Sequence, residues 1–147
     1  MTQMYVCGFM FNEDRNAVIL IRKNRPAFQK GKLNGIGGKV EQEDSDITAA
    51  MVREFFEETG VQTIANDWEN FAYGSNDEFT VFFFRGSNTE YFQKAKTMET
   101  EEVGRFYIGN GVDRSAMANL QWLIPLAVCS EPIAGPVTFR WAYAAAK

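Results

Sequence analysis

Gly37-Gly38-Lys39-Val40-Glu41 opens the stretch that decides the fold. An acidic loop follows, then Ala49-Ala50-Met51-Val52-Arg53-Glu54-Phe55-Phe56-Glu57-Glu58-Thr59-Gly60-Val61. A glycine-rich turn feeds a helix that carries Arg-Glu-x-x-Glu-Glu and stops at a glycine. At roughly 100° per residue, Glu54, Glu57 and Glu58 fall within one arc of about 100°. Ala49, Met51, Val52, Phe55 and Phe56 lie roughly opposite, which predicts that they are buried. Three carboxylates at i, i+3 and i+4 repel one another by roughly 0.2–0.5 kcal/mol per pair when solvated. A divalent cation removes that repulsion, and hard oxygen ligands at this density suit Mg²⁺, with Mn²⁺ as a substitute. A solvated acidic face is the ordinary alternative. The Gly-Gly turn, the arginine beside the acids and the glycine stop weigh against it.

This stretch resembles the Nudix box, G-x5-E-x7-R-E-U-x-E-E-x-G-U, with U a bulky apolar residue. Gly38 takes the box glycine, and Arg53, Glu54, Phe55, Glu57, Glu58, Gly60 and Val61 fit the second half without a gap. The first half departs from the pattern. Asp44 stands where it asks for Glu, and eight residues rather than seven separate Asp44 from Arg53. In the family that first acid holds the arginine rather than the metal; Glu43, Asp44 and Asp46 are the candidates here. The resemblance implies an α/β fold, a Nudix-type α/β/α sandwich with a mixed sheet, in a single domain over residues 1–147. It implies Mg²⁺-dependent hydrolysis of a nucleoside diphosphate linked to another group. Glu57 and Glu58 are then metal ligands, Glu54 is a third ligand or the base, and Arg53 orients the carboxylates.

Around the box, Leu33-Asn34-Gly35-Ile36-Gly37-Gly38-Lys39-Val40-Glu41 resembles the turn of MutT-type enzymes. In those relatives the carbonyl at the Gly37 position ligates the metal, and the asparagine at the Asn34 position contacts the base. The resemblance favours a nucleoside triphosphate or deoxynucleoside triphosphate, cleaved to monophosphate and pyrophosphate. Members that cleave ADP-ribose commonly carry a proline in the region of Ser75-Asn76-Asp77-Glu78, where this chain has none. The alternatives are a hydrolase of ADP-ribose or another nucleotide sugar, and a non-catalytic nucleotide-binding module. Modules of that kind usually lose box glutamates, which this helix keeps.

Composition narrows the chemistry further. The chain has 147 residues, 46% of them hydrophobic and 23% charged, enough for one domain with one sizeable core. There is no histidine, so acid–base work falls to Glu, Asp, Lys or Tyr, and no histidine-ligated zinc is available. No apolar run reaches membrane-spanning length, and no export signal opens the chain. Cys7 and Cys129 lie in apolar stretches and read as buried thiols, consistent with a cytoplasmic protein. The net charge is −4 but uneven: Arg22, Lys23, Arg25, Lys30, Lys32 and Lys39 share one segment without an acid. A basic segment leading into a carboxylate cluster suits a small phosphorylated substrate, with Arg22, Lys23 and Lys39 near its phosphates. It is too narrow for a nucleic-acid footprint.

The remaining elements follow from periodicity and turn residues. Met4–Phe11 and Ala17–Ile21 predict a hairpin, and the box helix is expected from Asp46 to Thr59 with Asp44 or Ser45 as its N-cap. Trp68–Tyr73 and Phe79–Arg85 predict two aromatic strands. Glu99–Ile108 predicts a strand with acids at its entrance, from which Glu102 first, or Glu101, adds a metal ligand by analogy with the family. Ser115–Val128 predicts a helix that Pro125 kinks or breaks. There Trp122 is expected in the core, or as a wall of the base pocket, and Asn119 is a candidate base reader. The tail Glu131–Lys147 adds an edge strand or packs on a partner subunit, which leaves a homodimer open.

Overall fold

The computed structural model describes residues 2–129 and 135–141. Its strands and helices, in chain order, are β1 Gln3–Phe11, β2 Ala17–Arg22, β3 Leu33–Asn34, β4 Ile36–Lys39, α1 Ile47–Thr59, β5 Glu69–Ser75, β6 Phe79–Ser87, α2 Thr89–Lys94, β7 Glu102–Tyr107, α3 Leu120–Val128 and β8 Val137–Arg140. β1 lies at the centre. It runs parallel to β6 from Gln3↔Phe79 to Phe11↔Ser87. On its other edge the hairpin partner β2 and the short β4 pair with it antiparallel. β7 and β3 extend from β2, β5 pairs antiparallel with β6, and β8 adds a parallel strand on β5. The sheet is therefore mixed.

Alternation along the strands sends side chains to both faces. Phe9, Phe11, Leu20, Phe71 and Phe83 pack on Leu120, Leu123 and Ile124 of α3. Met10, Ile19, Ile21, Ile36 and Phe84 pack on Ala50, Met51 and Phe55 of α1 and on Phe92 of α2. Helices thus cover both faces, in the expected α/β/α arrangement.

Local chemistry explains the boundaries. Asp46, not Asp44 or Ser45, caps α1: its carboxylate accepts the Ala49 N–H at 2.8 Å. Gly60 ends the helix at φ 77°, a left-handed conformation that glycine adopts without a Cβ penalty. The glycine-rich turn is more ordered than a plain turn, since Ile36–Lys39 is a strand in register with β1. α3 begins later than the periodicity suggested, at Leu120, and carries Pro125 through to Val128. The tail strand is present as β8; residues 131–134 and 142–147 of the tail Glu131–Lys147 lie outside the described residues. Cys7 is buried, with its thiol pushed up to about 12 by burial, while Cys129 is only half-buried; both are free. No helix among the described residues is long and apolar enough to cross a membrane.

Candidate active site

The buried face of α1 differs from the one expected. Ala50, Met51, Phe55 and Thr59 are buried, but Phe56 is 47% exposed and Val52 half-buried. Met51 and Phe55 meet the sheet, and Phe55 also meets the Trp68 ring edge-on at 5.2 Å. Those two residues set the rotation of the helix. Glu54 and Glu58 lie within about 100° of them around the axis, so they fall on the rim of the buried face rather than opposite it. Glu54 is consequently 8% exposed.

Two glycines make this possible, for different reasons. A Cβ on Gly37 would run into the carbonyl oxygen of Val6, so β4 pairs closely with β1 only because Gly37 has none. A Cβ on Gly38 would run into the carboxylate of Glu54. Gly38 therefore gives Glu54 its place beneath β4. Gly38→Ala should push that carboxylate aside and lower kcat by about 10–100-fold. Its melting temperature should fall less than that of Gly37→Ala, whose clash is with backbone. Steady-state kinetics and thermal melting of the two variants check both statements.

Arg53 ties the cluster together. Its Nε and Nη2 donate to the two oxygens of Asp44, each at 2.9 Å. Nη2 also donates to the Lys39 carbonyl at 3.0 Å, and Nη1 to Glu54 at 3.0 Å and Glu57 at 3.3 Å. Asp44 is thus the acid that holds the arginine, while Asp46 is occupied as the cap. Asp44 also accepts the Glu41 N–H at 2.8 Å, which closes the longer acidic loop over the extra residue. The Arg53 hydrogen bonds hold the Asp44 carboxyl below its usual range.

The other carboxylates are short of cationic partners. Burial, more than any other cause, raises the Glu54 carboxyl, and the bond from Arg53 only partly offsets it. Glu58 is raised to about 7, by burial first and then by the charges of Glu99, Glu54 and Glu101. Among the described residues no three acidic side chains stand close enough to hold a cation as they are placed. Glu57 is engaged with Arg53 at an exposed, long contact that is readily given up. Glu54 and Glu58 are hard oxygen donors with excess negative charge, the donor type a divalent cation takes. Glu57, exposed, would have to leave Arg53 to join them.

The acid from the β7 entrance is placed differently from the first expectation. Glu102 is exposed and lies opposite Arg22 in the β2–β7 register. Glu101 is buried, accepts Lys23 Nζ at 2.9 Å and the Asn24 N–H at 2.6 Å, and acts on Glu58 electrostatically. Burial raises its carboxyl, but those two donors outweigh it and leave it below the usual range. A strand end read from sequence does not separate adjacent acids. The loop at Lys23-Asn24, which selects Glu101, is distant in the chain.

A cavity of about 430 Å³ opens beside this cluster, and Gly38 and Gly37 form one side of it. Tyr5, Phe28 and Phe79 line it with rings, and Lys23, Gln29 and Asn34 with polar groups. Asn34 accepts the Gly35 N–H at 2.8 Å and donates to Gln29 at 3.1 Å, so its amide has a fixed orientation. Phe28, Gln29 and Tyr5 were not singled out from sequence; no spacing rule links a loop aromatic to a distant strand. Arg22 turns away to the Gly31 carbonyl and Ser115, each at 3.0 Å. Lys39 contributes its carbonyl to Arg53, and its side chain is exposed. Asn119 does not line the cavity, and its Oδ1 is buried without a hydrogen-bond partner among the described residues. Leu33, next to Asn34, is bridged to Ala116 three residues before it. Trp122 is neither core nor cavity wall: it is 45% exposed and meets Phe139 edge-on at 4.8 Å.

Known structures share the fold. The chain aligns over 87% of its length with a MutT structure reported for the fish pathogen Aliivibrio salmonicida and Vibrio cholerae, covering 98% of that chain at 23% identity and TM-score 0.70. The NUDIX domain of Shewanella oneidensis NrtR, complexed with ADP ribose, matches with 86% of each chain covered, 16% identity and TM-score 0.69. A MutT protein from Bacillus halodurans covers 95% of this chain and 90% of its own, at 18% identity and TM-score 0.65. A search of curated proteins gives no match. The NUDIX domain family model matches residues 1–109, which contain the glycine turn, α1 and the β7 acids. The chain belongs to the Nudix hydrolase superfamily.

Proposed function

We propose that the protein hydrolyses a nucleoside triphosphate or deoxynucleoside triphosphate to the monophosphate and pyrophosphate, with Mg²⁺ as cofactor. One observation carries the reading: Gly38 is both a wall of the ring-lined cavity and the residue under which Glu54 lies. A base among the rings therefore places its phosphates toward the carboxylates. Glu57 and Glu58 would hold the metal, with Glu54 as third ligand or base and the Gly37 carbonyl as a further ligand. Of the two β7-entrance acids proposed from sequence, Glu101 rather than Glu102 acts on Glu58, and Glu99 before them acts on it more strongly. When bound, Mg²⁺ neutralises phosphate oxygens and lowers the pKa of water. Water adds to one phosphorus, a bridging P–O bond breaks, and the proton of the water passes to a carboxylate of the cluster. Lys23 faces the cavity and supplies positive charge to the phosphates. Asn34 presents its remaining N–H to the base, while Asn119 lies outside the cavity lining and is not carried into this reading.

The test is a Mg²⁺ hydrolysis screen over canonical and oxidised nucleoside triphosphates, nucleotide sugars, dinucleoside polyphosphates and ADP-ribose, the ligand of the NrtR domain. Triphosphates should be the best substrates, with pyrophosphate released. Glu57→Gln should keep less than about 1% of the rate with its fold intact. No turnover of any triphosphate, or an unchanged rate in Glu57→Gln, would reject the reading.

A further inference from the structure

The family match ends at residue 109, but the described chain continues through α3 to β8, and β8 bears on the cavity. β8 is held at three points. Phe139 fills the space over Gly74, where a Cβ would meet its ring. The Trp141 N–H donates to the Ser75 carbonyl at 3.0 Å, and Arg140 pairs with Asp77 at 2.7 Å. Asp77 belongs to the turn that leads into Phe79, and Asn76 Oδ1 fixes that turn by accepting the N–H groups of Glu78 and Phe79. The tail therefore both seats itself and pins the approach to Phe79.

Its rings continue the same contact. Trp122 meets Phe139 at 4.8 Å, Phe139 meets Trp141 at 5.0 Å, and Trp141 meets Phe79 at 5.1 Å. Phe79 in turn meets Tyr5 edge-on at 6.1 Å, and both line the cavity. Centroid distances of this size are those of favourable aromatic pairs. A ring braced by Trp141 and Tyr5 offers its remaining surface to the cavity in a fixed plane.

We propose that β8 and the Trp141 that follows it form a specificity element of the cavity: Trp141 positions Phe79 as the aromatic wall against which the planar base of the substrate lies. This rests on the reading that the cavity takes a nucleotide base. Trp141 is a positioning residue, since it acts through Phe79. Losing the brace frees the ring and weakens base binding, while the carboxylates on the far side of Gly38 are untouched.

The experiment compares wild type, Trp141→Ala, Trp141→Leu and Trp141→Phe on the best nucleoside triphosphate and on base-free ribose 5-triphosphate. Trp141→Ala should raise KM for the nucleotide about tenfold, with kcat within about twofold, the order expected for one lost aromatic contact. Trp141→Phe should restore KM, and none of the variants should change KM for the base-free substrate. If Trp141→Ala fails to fold, Trp141→Leu, which keeps apolar bulk without a ring, carries the comparison with Trp141→Phe. A wild-type KM in the Ala or Leu variant, or an equal rise on the base-free substrate, overturns the proposal while leaving the hydrolase reading in place. A wild-type protein that neither binds nor turns over any nucleoside phosphate rejects both.

Discussion

Glu58→Gln should lower Mg²⁺-dependent turnover by about 10³-fold and, in metal-free protein above pH 7, raise the melting temperature. The two effects have one cause. Glu58 is partly buried among Glu99, Glu54 and Glu101, and its carboxyl is raised from 4.5 to about 7. Between those values the folded protein keeps a proton that the unfolded chain has released, so stability falls as pH rises through the window. Below it both states are protonated and the penalty is absent; above it the penalty is complete. Glutamine is neutral throughout and removes the penalty. The melting-temperature gap between variant and wild type should therefore be largest near pH 8 and close by pH 4. A cation bound by the native state stabilises it, and more strongly with Glu58 present, so saturating Mg²⁺ should shrink or reverse the gap. Melting curves at the two pH values, with and without Mg²⁺, check this. A gap independent of pH would reject the electrostatic account of the cluster.

That gap was not legible in the sequence, although its residues were. Periodicity gave α1 within one residue at its start and gave its glycine stop, because both depend on chemistry close in the chain. It placed the carboxylates opposite the buried face because Val52 and Phe56 are as apolar as Met51 and Phe55. Only packing separates them: the sheet surface meets Met51 and Phe55, and Phe56 is left outside. The same limit applies to the acids. Asp44, Asp46, Glu101 and Glu102 look alike in sequence, and each is sorted by a partner elsewhere. Asp44 goes to Arg53, Asp46 to the Ala49 N–H, and Glu101 to Lys23, while Glu102 lies opposite Arg22 in an exposed register. Hairpin-joined β1 and β2 could be read from two apolar runs and the polar turn between them. The parallel pairing of β1 with β6, which builds the centre of the sheet, joins segments too far apart for a local signal.

Arg53→Lys should be nearly as damaging as the loss of a carboxylate ligand, lowering kcat by about 10²-fold and stability by roughly 2–4 kcal/mol. The positive charge is retained, so geometry must account for the loss. Arg53 uses Nε, Nη1 and Nη2 at once, toward Asp44, Glu54, Glu57 and the Lys39 carbonyl. An ammonium has three donors on one atom and cannot span these sites. Asp44, with its side chain only 6% exposed, would lose its paired bonds, and Glu54 would lose the donor that partly offsets its burial. The stability difference has a pH signature of its own. Asp44 is held below 3.8 in the folded state, so its stabilisation is present above that value and is lost as pH falls through the folded one. The wild-type advantage over Arg53→Lys should therefore hold from neutral pH down to about 4 and narrow only below it, opposite in direction to the Glu58 effect. An advantage that was instead lost well above pH 4 would show that Arg53 stabilises the fold through Glu54, whose raised carboxyl it also bonds, rather than through Asp44.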